Sequence, residues 1–247
     1  MSQRKVRDER RKFIVEGWRA LKDALNSGFH IDYVAVTGPY VKNPDYQTII
    51  HDIERRKIPL KELTEVELRQ VSDTVHSQGV LALVDQKVVS LDHLGRSNSS
   101  LVVVADRVAD PGNLGSIIRT CDWFGVDALI LTEGCVDLYN EKVVRSTAGS
   151  IFHLPVIEHA PVDGTVTALK SLGFSIIGSA GEAKSSYSKV EYRSKNAILV
   201  GSEASGLSPS LRKQCDEMVR IERRGKAESL NVVVACGIIL SHIRNNQ

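Results

Sequence analysis

Leu101-Val-Val-Val-Ala-Asp-Arg-Val-Ala-Asp-Pro-Gly-Asn-Leu-Gly-Ser-Ile-Ile-Arg119 is the stretch that decides the fold of this chain. Its first five residues form a continuous apolar run, the pattern of a short strand buried on both faces of a parallel sheet. Pro111 and Gly112 then make a turn, and Asn113 stands where a helix N-cap would. Helical spacing follows from Asn113 to Phe124, with Gly125 as the stop.

Downstream the same alternation continues. Strands are expected at Ala128–Leu131, Phe174–Gly178, Ala197–Val200 and Met218–Ile221. Between them, helical spacing marks Glu141–Ala148, Val162–Leu172, Pro209–Gln214 and a last helix from Ser229, as its N-cap, to Ile243. Such alternation predicts an α/β domain with a mostly parallel sheet. Upstream, Phe13, Ile14, Trp18, Leu21 and Leu25 predict one helix over 8–27, stopped by Gly28. Strands at Val34–Val36 and Val80–Val84 and a helix over Leu60–Val71 complete a small α/β unit ending near Leu94. Gly95–Ser100 offers no apolar residue to pack and reads as a linker. The expected division is therefore 1–94, a linker at 95–100, and 101–247.

Composition narrows the class. A chain of 247 residues suffices for one large domain or two ordinary ones, and its 42% apolar content is that of a globular protein. No apolar run approaches the ~18 residues of a membrane span, and the basic N-terminus lacks the apolar core of a secretory signal. Cys121, Cys135, Cys215 and Cys236 are scattered without a CxxC pair, which predicts reduced thiols and a cytoplasmic location. The seven histidines show no HExxH spacing, and no metal is expected. The net charge of +2 hides two basic clusters. Arg4, Lys5, Arg7, Arg10, Arg11 and Lys12 crowd the N-terminus against Asp8 and Glu9; Arg220, Arg223, Arg224 and Lys226 precede the last helix. Either cluster can neutralise phosphates of a polyanion or simply form a solvated face.

In an open parallel sheet, ligands collect at the carboxyl ends of the strands. Three loops there are rich in glycine and polar residues. In Asp106–Arg119, Arg119 lies six residues beyond Asn113 and is the side chain best suited to a bidentate grip on phosphate. In Val200-Gly-Ser-Glu-Ala-Ser-Gly206-Leu, the glycines let backbone approach a ligand, and Glu203 is the one ionised side chain between them. In Ile221–Ala235, Asn231 falls in the first turn of the last helix, beside unpaired backbone N–H groups. Taken singly, each is explained as well by a cap, an ion pair or a tight turn. Neither GxGxxG nor GxxxxGK[ST] is present, which counts against a nicotinamide dehydrogenase or a P-loop enzyme.

Taken together, the loops resemble the three motifs of the SpoU (TrmH) class of the SPOUT RNA methyltransferase superfamily, N-x-G-x-x-x-R, G-x-E-x-x-G and S-L-N-V. They read here Asn113-Leu-Gly115-Ser-Ile-Ile-Arg119, Gly201-Ser-Glu203-Ala-Ser-Gly206 and Ser229-Leu-Asn231-Val. The segment Val144-Arg-Ser-Thr-Ala-Gly-Ser-Ile-Phe-His-Leu-Pro155 also resembles the family, so the likeness covers residues 101–244. It implies a parallel-sheet SPOUT domain with a C-terminal deep trefoil knot, a homodimer, and S-adenosylmethionine as methyl donor. Glu9–Gly17, leading into a helix, resembles an L30e-like substrate-binding domain commoner in members acting on large-subunit ribosomal RNA. In one departure, the family's Ile-Pro-Met is replaced by Ile221-Glu222-Arg223, which loses the fixed φ of proline and adds charge.

The resemblance implies transfer of a methyl group to a ribose 2′-hydroxyl, with Arg119 as the main catalytic residue. An arginine with its pKa above ~12 is a poor base at neutral pH, so a positioning and electrostatic role for Arg119 is expected. Glu203 would orient Arg119 or the substrate; Asn113, Ser229 and Asn231 would supply hydrogen bonds. Backbone near Val200, Gly201, Gly206, Ile221 and Leu230 would enclose the donor. Arg4, Lys5, Arg7, Arg10, Arg11, Arg223 and Arg224 are the expected RNA contacts. The rival readings are a tRNA 2′-O- or base methyltransferase and a non-catalytic RNA-binding or ribosome assembly factor.

Overall fold

The structure, a computed structural model, describes residues 3–72, 77–91, 94, 98–202 and 204–246. The chain divides into two compact units, Met1–Lys87 with Asp137–His153, and Val88–Val136 with Leu154–Gln247. In chain order the first carries α1 (Arg4–Arg10), β1 (Lys12–Glu16), α2 (Trp18–Asn26), β2 (Ile31–Thr37), α3 (Gly38–Val41), α4 (Gln47–Arg55), β3 (Leu60–Leu63), α5 (Glu65–Val71) and β4 (Val80–Asp85). Then come β5 (Ser100–Asp106), α6 (Pro111–Trp123) and β6 (Ala128–Thr132) of the second unit, and α7 (Glu141–Ser146), which belongs to the first. The second unit continues with β7 (Val156–Ala160), α8 (Val162–Ser171), β8 (Ser175–Ser179), β9 (Ser185–Ser186), β10 (Lys195–Gly201), α9 (Pro209–Gln214), β11 (Glu217–Arg220) and α10 (Val232–Asn245).

The first unit holds a four-stranded sheet in the order β1-β4-β2-β3, antiparallel except for the β2–β3 pair. The single helix expected over 8–27 is not what forms. Arg11 takes a left-handed φ of 55° and ends α1; Gly17, at φ 94°, opens α2. Between them Phe13 and Val15 are fully buried while Lys12, Ile14 and Glu16 are not. That two-residue period coincides with helical spacing at only some positions, and pairing with Val80–Asp85 settles it as a strand. The helix expected over 60–71 is likewise split. Residues 60–63 pair with β2, and Thr64 caps α5, its Oγ1 accepting from the Glu67 N–H at 3.2 Å while the Glu67 carboxylate accepts from the Thr64 N–H at 2.8 Å. Residues 137–153 pack on β1 and α2: the Phe13 ring lies 4.6 Å from that of Tyr139, and Phe29 meets Phe152 edge-on at 5.2 Å.

The second unit is built on seven strands in the order β7-β6-β5-β10-β8-β11-β9, every neighbouring pair parallel. The apolar runs that predicted buried strands are buried on both faces. Val102 and Val104 join Val166, Leu169 and Leu211 of α8 and α9 in one core, and Leu101 and Val103, pointing the other way, have no exposed surface either. Leu94 packs into that core, and of the expected linker Ser100 is already the first residue of β5, while 95–97 lie outside the described residues. The strand β7 has no counterpart in the sequence reading, because Glu158 and His159 break its apolar run and an edge strand needs only one buried face.

Candidate active site

The adjacent strands β5 and β10 end together, with Gly201 in register with Asp106. Asp106, to which the sequence reading gave no role, is 1% exposed and binds two loops: its Oδ2 accepts from the Ser208 N–H at 2.6 Å and its Oδ1 from the Thr132 hydroxyl at 3.1 Å. Its only signal in sequence is an acid placed at the end of an apolar run. The Gly201–Gly206 segment folds back on itself. The Gly206 N–H donates to the Ser202 carbonyl at 2.8 Å, and a Cβ at Gly201 would collide with the backbone of Gly206 and Leu207. That glycine is therefore required by close approach within the loop. Val200 is buried, Gly206 half-buried, and Glu203 lies outside the described residues.

The two helix starts differ from expectation by a few residues. Asp110 rather than Asn113 caps α6, its carboxylate accepting from the Asn113 N–H at 2.8 Å, with Pro111 in the first turn. Asn231 rather than Ser229 caps α10, its Oδ1 accepting from the Val233 N–H at 2.9 Å. Short carboxylate and amide side chains serve this task as well as a serine hydroxyl does. Having accepted with its oxygen, the Asn231 side chain donates from Nδ2 to Asn113 Oδ1 at 3.1 Å, joining the first and third motifs.

This bond is the top of a longer alignment. Thr120 lies against Gly237, the buried Cys121 beside Cys236, and Arg244 donates to the Phe124 carbonyl at 2.8 Å. The helices α6 and α10 thus run side by side in the same direction, with their N-termini together at the Asn113–Asn231 pair. Aligned peptide dipoles place about half a positive charge at each such end. Two together favour an anion or an oxygen on which negative charge develops.

Arg119 is exposed on α6 and has no hydrogen-bond or ion-pair partner among the described residues. Ser229 and Leu230 are exposed in the loop before α10, and Ile221 is half-buried just past β11. In sheet order β8 stands between β10 and β11, so the expected donor-enclosing residues follow the two strands that flank β8. Glu222, where the family has proline, is held ionised below the usual carboxylate range chiefly by the Ser186 hydroxyl.

Of the expected RNA contacts, Arg4, Lys5, Arg10, Arg11, Arg223 and Arg224 are exposed. Arg7 is the exception and is withdrawn from that set. It is 2% exposed, and its guanidinium donates from Nε and Nη2 to Asp137 Oδ2, the Nε bond measuring 3.0 Å. The basic residues of α1 lie on several sides, and the sequence does not say that Arg7 is the one turned inward to Asp137. Among the described residues no group of His, Cys, Asp and Glu could hold a metal, and no helix is long and apolar enough to cross a membrane.

Family models match both parts of the chain. The model of the SpoU rRNA Methylase family matches residues 100–241, and that of the MRM3-like substrate binding domain matches 1–82. The chain belongs to the SpoU rRNA methylase family. It is 30% identical to the 23S rRNA (guanosine(2553)-2′-O)-methyltransferase RlmP of Bacillus subtilis, over 98% of this chain and 92% of that one. Among solved structures, an AdoMet-bound rRNA methyltransferase from Sinorhizobium meliloti superposes with a TM-score of 0.89 at 28% identity, covering 99% of this chain and 91% of the other. The SpoU methyltransferase AviRb from Streptomyces viridochromogenes in complex with AdoMet gives 0.88 at 26%, covering 99% and 94%.

Proposed function

We propose that this protein is an RNA ribose 2′-O-methyltransferase that takes its methyl group from S-adenosylmethionine and acts on large-subunit ribosomal RNA in the cytoplasm. The observation that carries the reading is the Asn231–Asn113 hydrogen bond at the joined N-termini of α6 and α10, which ties the first and third motifs of the family set together. A ribose hydroxyl attacking a sulfonium develops negative charge on its oxygen, and a neighbouring phosphate must be held still. The paired helix ends and the two amides favour that charge. Arg119 supplies a guanidinium, without a partner among the described residues, suited to the phosphate, with Ser229 and Glu203 as further polar contacts.

The fit to the donor rests on backbone. Val200, Gly201, Gly206, Ile221 and Leu230 lie at the carboxyl ends of β10 and β11 or on the loops that follow them, and offer carbonyl and N–H groups rather than side-chain charge to an adenine and ribose. When bound, the donor supplies an electrophilic methyl group. We assign RNA capture to residues 1–94, with Arg4, Lys5, Arg10 and Arg11, and chemistry to 101–247, with Arg223 and Arg224 as further RNA contacts; the C-terminal knot and the homodimer of the family belong to the same proposal.

The test is incubation with methyl-labelled S-adenosylmethionine and unmodified ribosomal RNA or tRNA, followed by alkaline hydrolysis. A 2′-O-methyl group blocks cleavage of its own linkage, so the label is expected in alkali-resistant dinucleotides from ribosomal RNA. Label released as mononucleotide means base methylation and sinks the ribose assignment. Label confined to tRNA moves the substrate.

A further inference from the structure

We propose that Arg107 is a positioning residue of this site, whose side chain holds Gly206, on the loop after β10, in the place from which its backbone receives the methyl donor. The inference rests on the functional reading above and adds a residue outside the three motifs.

Arg107 is the first residue after β5, and its φ of 54° is left-handed. An L side chain is disfavoured there, whereas glycine or asparagine would take the turn readily. The backbone is held in place by the Arg107 N–H, which donates to the Thr132 hydroxyl at 3.2 Å. The side chain then runs past Gly134, where an added Cβ would come within 3.1 Å of Arg107 Cγ, so that glycine clears its path. The guanidinium ends between two acceptors: Nε stands 3.4 Å from Asp106 Oδ1, and Nη2 donates to the Gly206 carbonyl in a long hydrogen bond of 3.5 Å. Among the described residues it has no other polar partner.

Asp106 and Arg107 therefore fasten the loop at two nearby points. The aspartate takes the Ser208 N–H, and the arginine takes the Gly206 carbonyl. Among the described residues, the loop's other hydrogen bonds are internal: the Gly206 N–H to the Ser202 carbonyl, and the Ser205 N–H and hydroxyl to the Ser202 hydroxyl. A donor recognised by backbone is bound only as well as that backbone is held. Losing one charge-assisted tether is worth about tenfold in affinity.

Donor affinity by calorimetry, together with kcat and separate KM values for donor and RNA, tests this on full-length Arg107→Gly and Arg107→Lys. In Arg107→Gly, which keeps the turn and removes the tether, Kd and KM for S-adenosylmethionine are expected to rise about tenfold, with kcat at saturating donor and KM for RNA within about twofold. Arg107→Lys, still able to reach the carbonyl, should recover most of the loss. Unchanged donor Kd in Arg107→Gly overturns the proposal. So does a rise in KM for RNA alone, which would make Arg107 a substrate contact, or a fall in kcat alone, which would make it catalytic. If Arg107→Gly does not fold, Arg107→Gln carries the same comparison. A wild-type protein that binds no S-adenosylmethionine defeats the functional reading itself.

Discussion

Asn231 does two things with one amide. Its oxygen caps α10 and its nitrogen reaches Asn113, so its substitutions should separate stability from activity. Asn231→Ala loses both bonds; removal of an N-cap costs about 1 kcal/mol, or a Tm lower by roughly 2–4 °C in a chain of this size. Asn231→Asp keeps the capping oxygen and should melt close to wild type, yet it sets a carboxylate against Asn113 Oδ1 at the paired helix ends proposed to favour the reacting oxygen. Its methyl transfer is expected to fall about 100-fold. Equal activity of Asn231→Asp and wild type would confine the residue to capping. For Arg119, without a partner among the described residues, Arg119→Ala should leave Tm and donor binding unchanged while nearly abolishing transfer. Loss of donor binding instead would move Arg119 to the donor site. The family motifs made all three side chains legible, but not which of them cap. Capping depends on where the first helical turn closes, and Asp110, Asn113, Ser229 and Asn231 are all chemically able to do it.

At the level of elements, the strands of the parallel sheet were readable because burial on both faces demands unbroken apolar runs, as at Leu101–Ala105. Residues 12–16 were not, because five residues hold too few periods to distinguish a strand from a helix flanked by real helices. The inward turn of Arg7 in α1 was equally hidden, since its partner Asp137 is 130 residues away. With side-chain exposures of 3% and 9%, this pair is buried. Arg7→Met strands the Asp137 charge and should cost about 3–5 kcal/mol, most of it recovered in Arg7→Met/Asp137→Leu. In contrast, Arg10→Ala should leave the melt untouched and weaken RNA binding, reducing its salt dependence. Additive losses in the Arg7/Asp137 cycle would deny the coupling. Asp216 provides the pH counterpart. Its carboxylate, despite a burial cost, is held below the usual range by the Ile176 N–H at 2.8 Å and by Lys170 at 2.9 Å, tying β8 to the start of β11. A folded-state pKa depressed in this way adds stability above the unfolded value near 3.9, which is lost as pH falls through the folded value. Urea melts of Asp216→Asn should accordingly show a shallower loss of stability below about pH 4 than wild type. Parallel curves would mean that Asp216 titrates normally.

For the whole molecule, the sequence could assign residues 137–153 only by neighbourhood, as part of the methylase stretch. Compact packing instead joins them to Met1–Lys87, through aromatic contacts of Phe13 and Phe29 that no linear pattern announces. Assembly is the other property of this scale. Among the described residues, Trp123 stands 83% exposed at the end of α6, and Val234, on the adjoining α10, is 48% exposed. A tryptophan that contributes nothing to its own core, on helices whose other faces are filled, is suited to the centre of an interface, where large aromatic residues dominate binding. If the proposed homodimer uses these helices, Trp123→Glu places a charge at the contact without disturbing the monomer, and a substitution at so exposed a position should change stability by no more than about 0.5 kcal/mol. Sedimentation at micromolar concentration should then show the wild type as a dimer and Trp123→Glu as a monomer. Methyl transfer should fall with dimer content and recover as concentration is raised. A variant that sediments as wild type would place the interface elsewhere, whereas an active monomer would show that one chain holds the complete site.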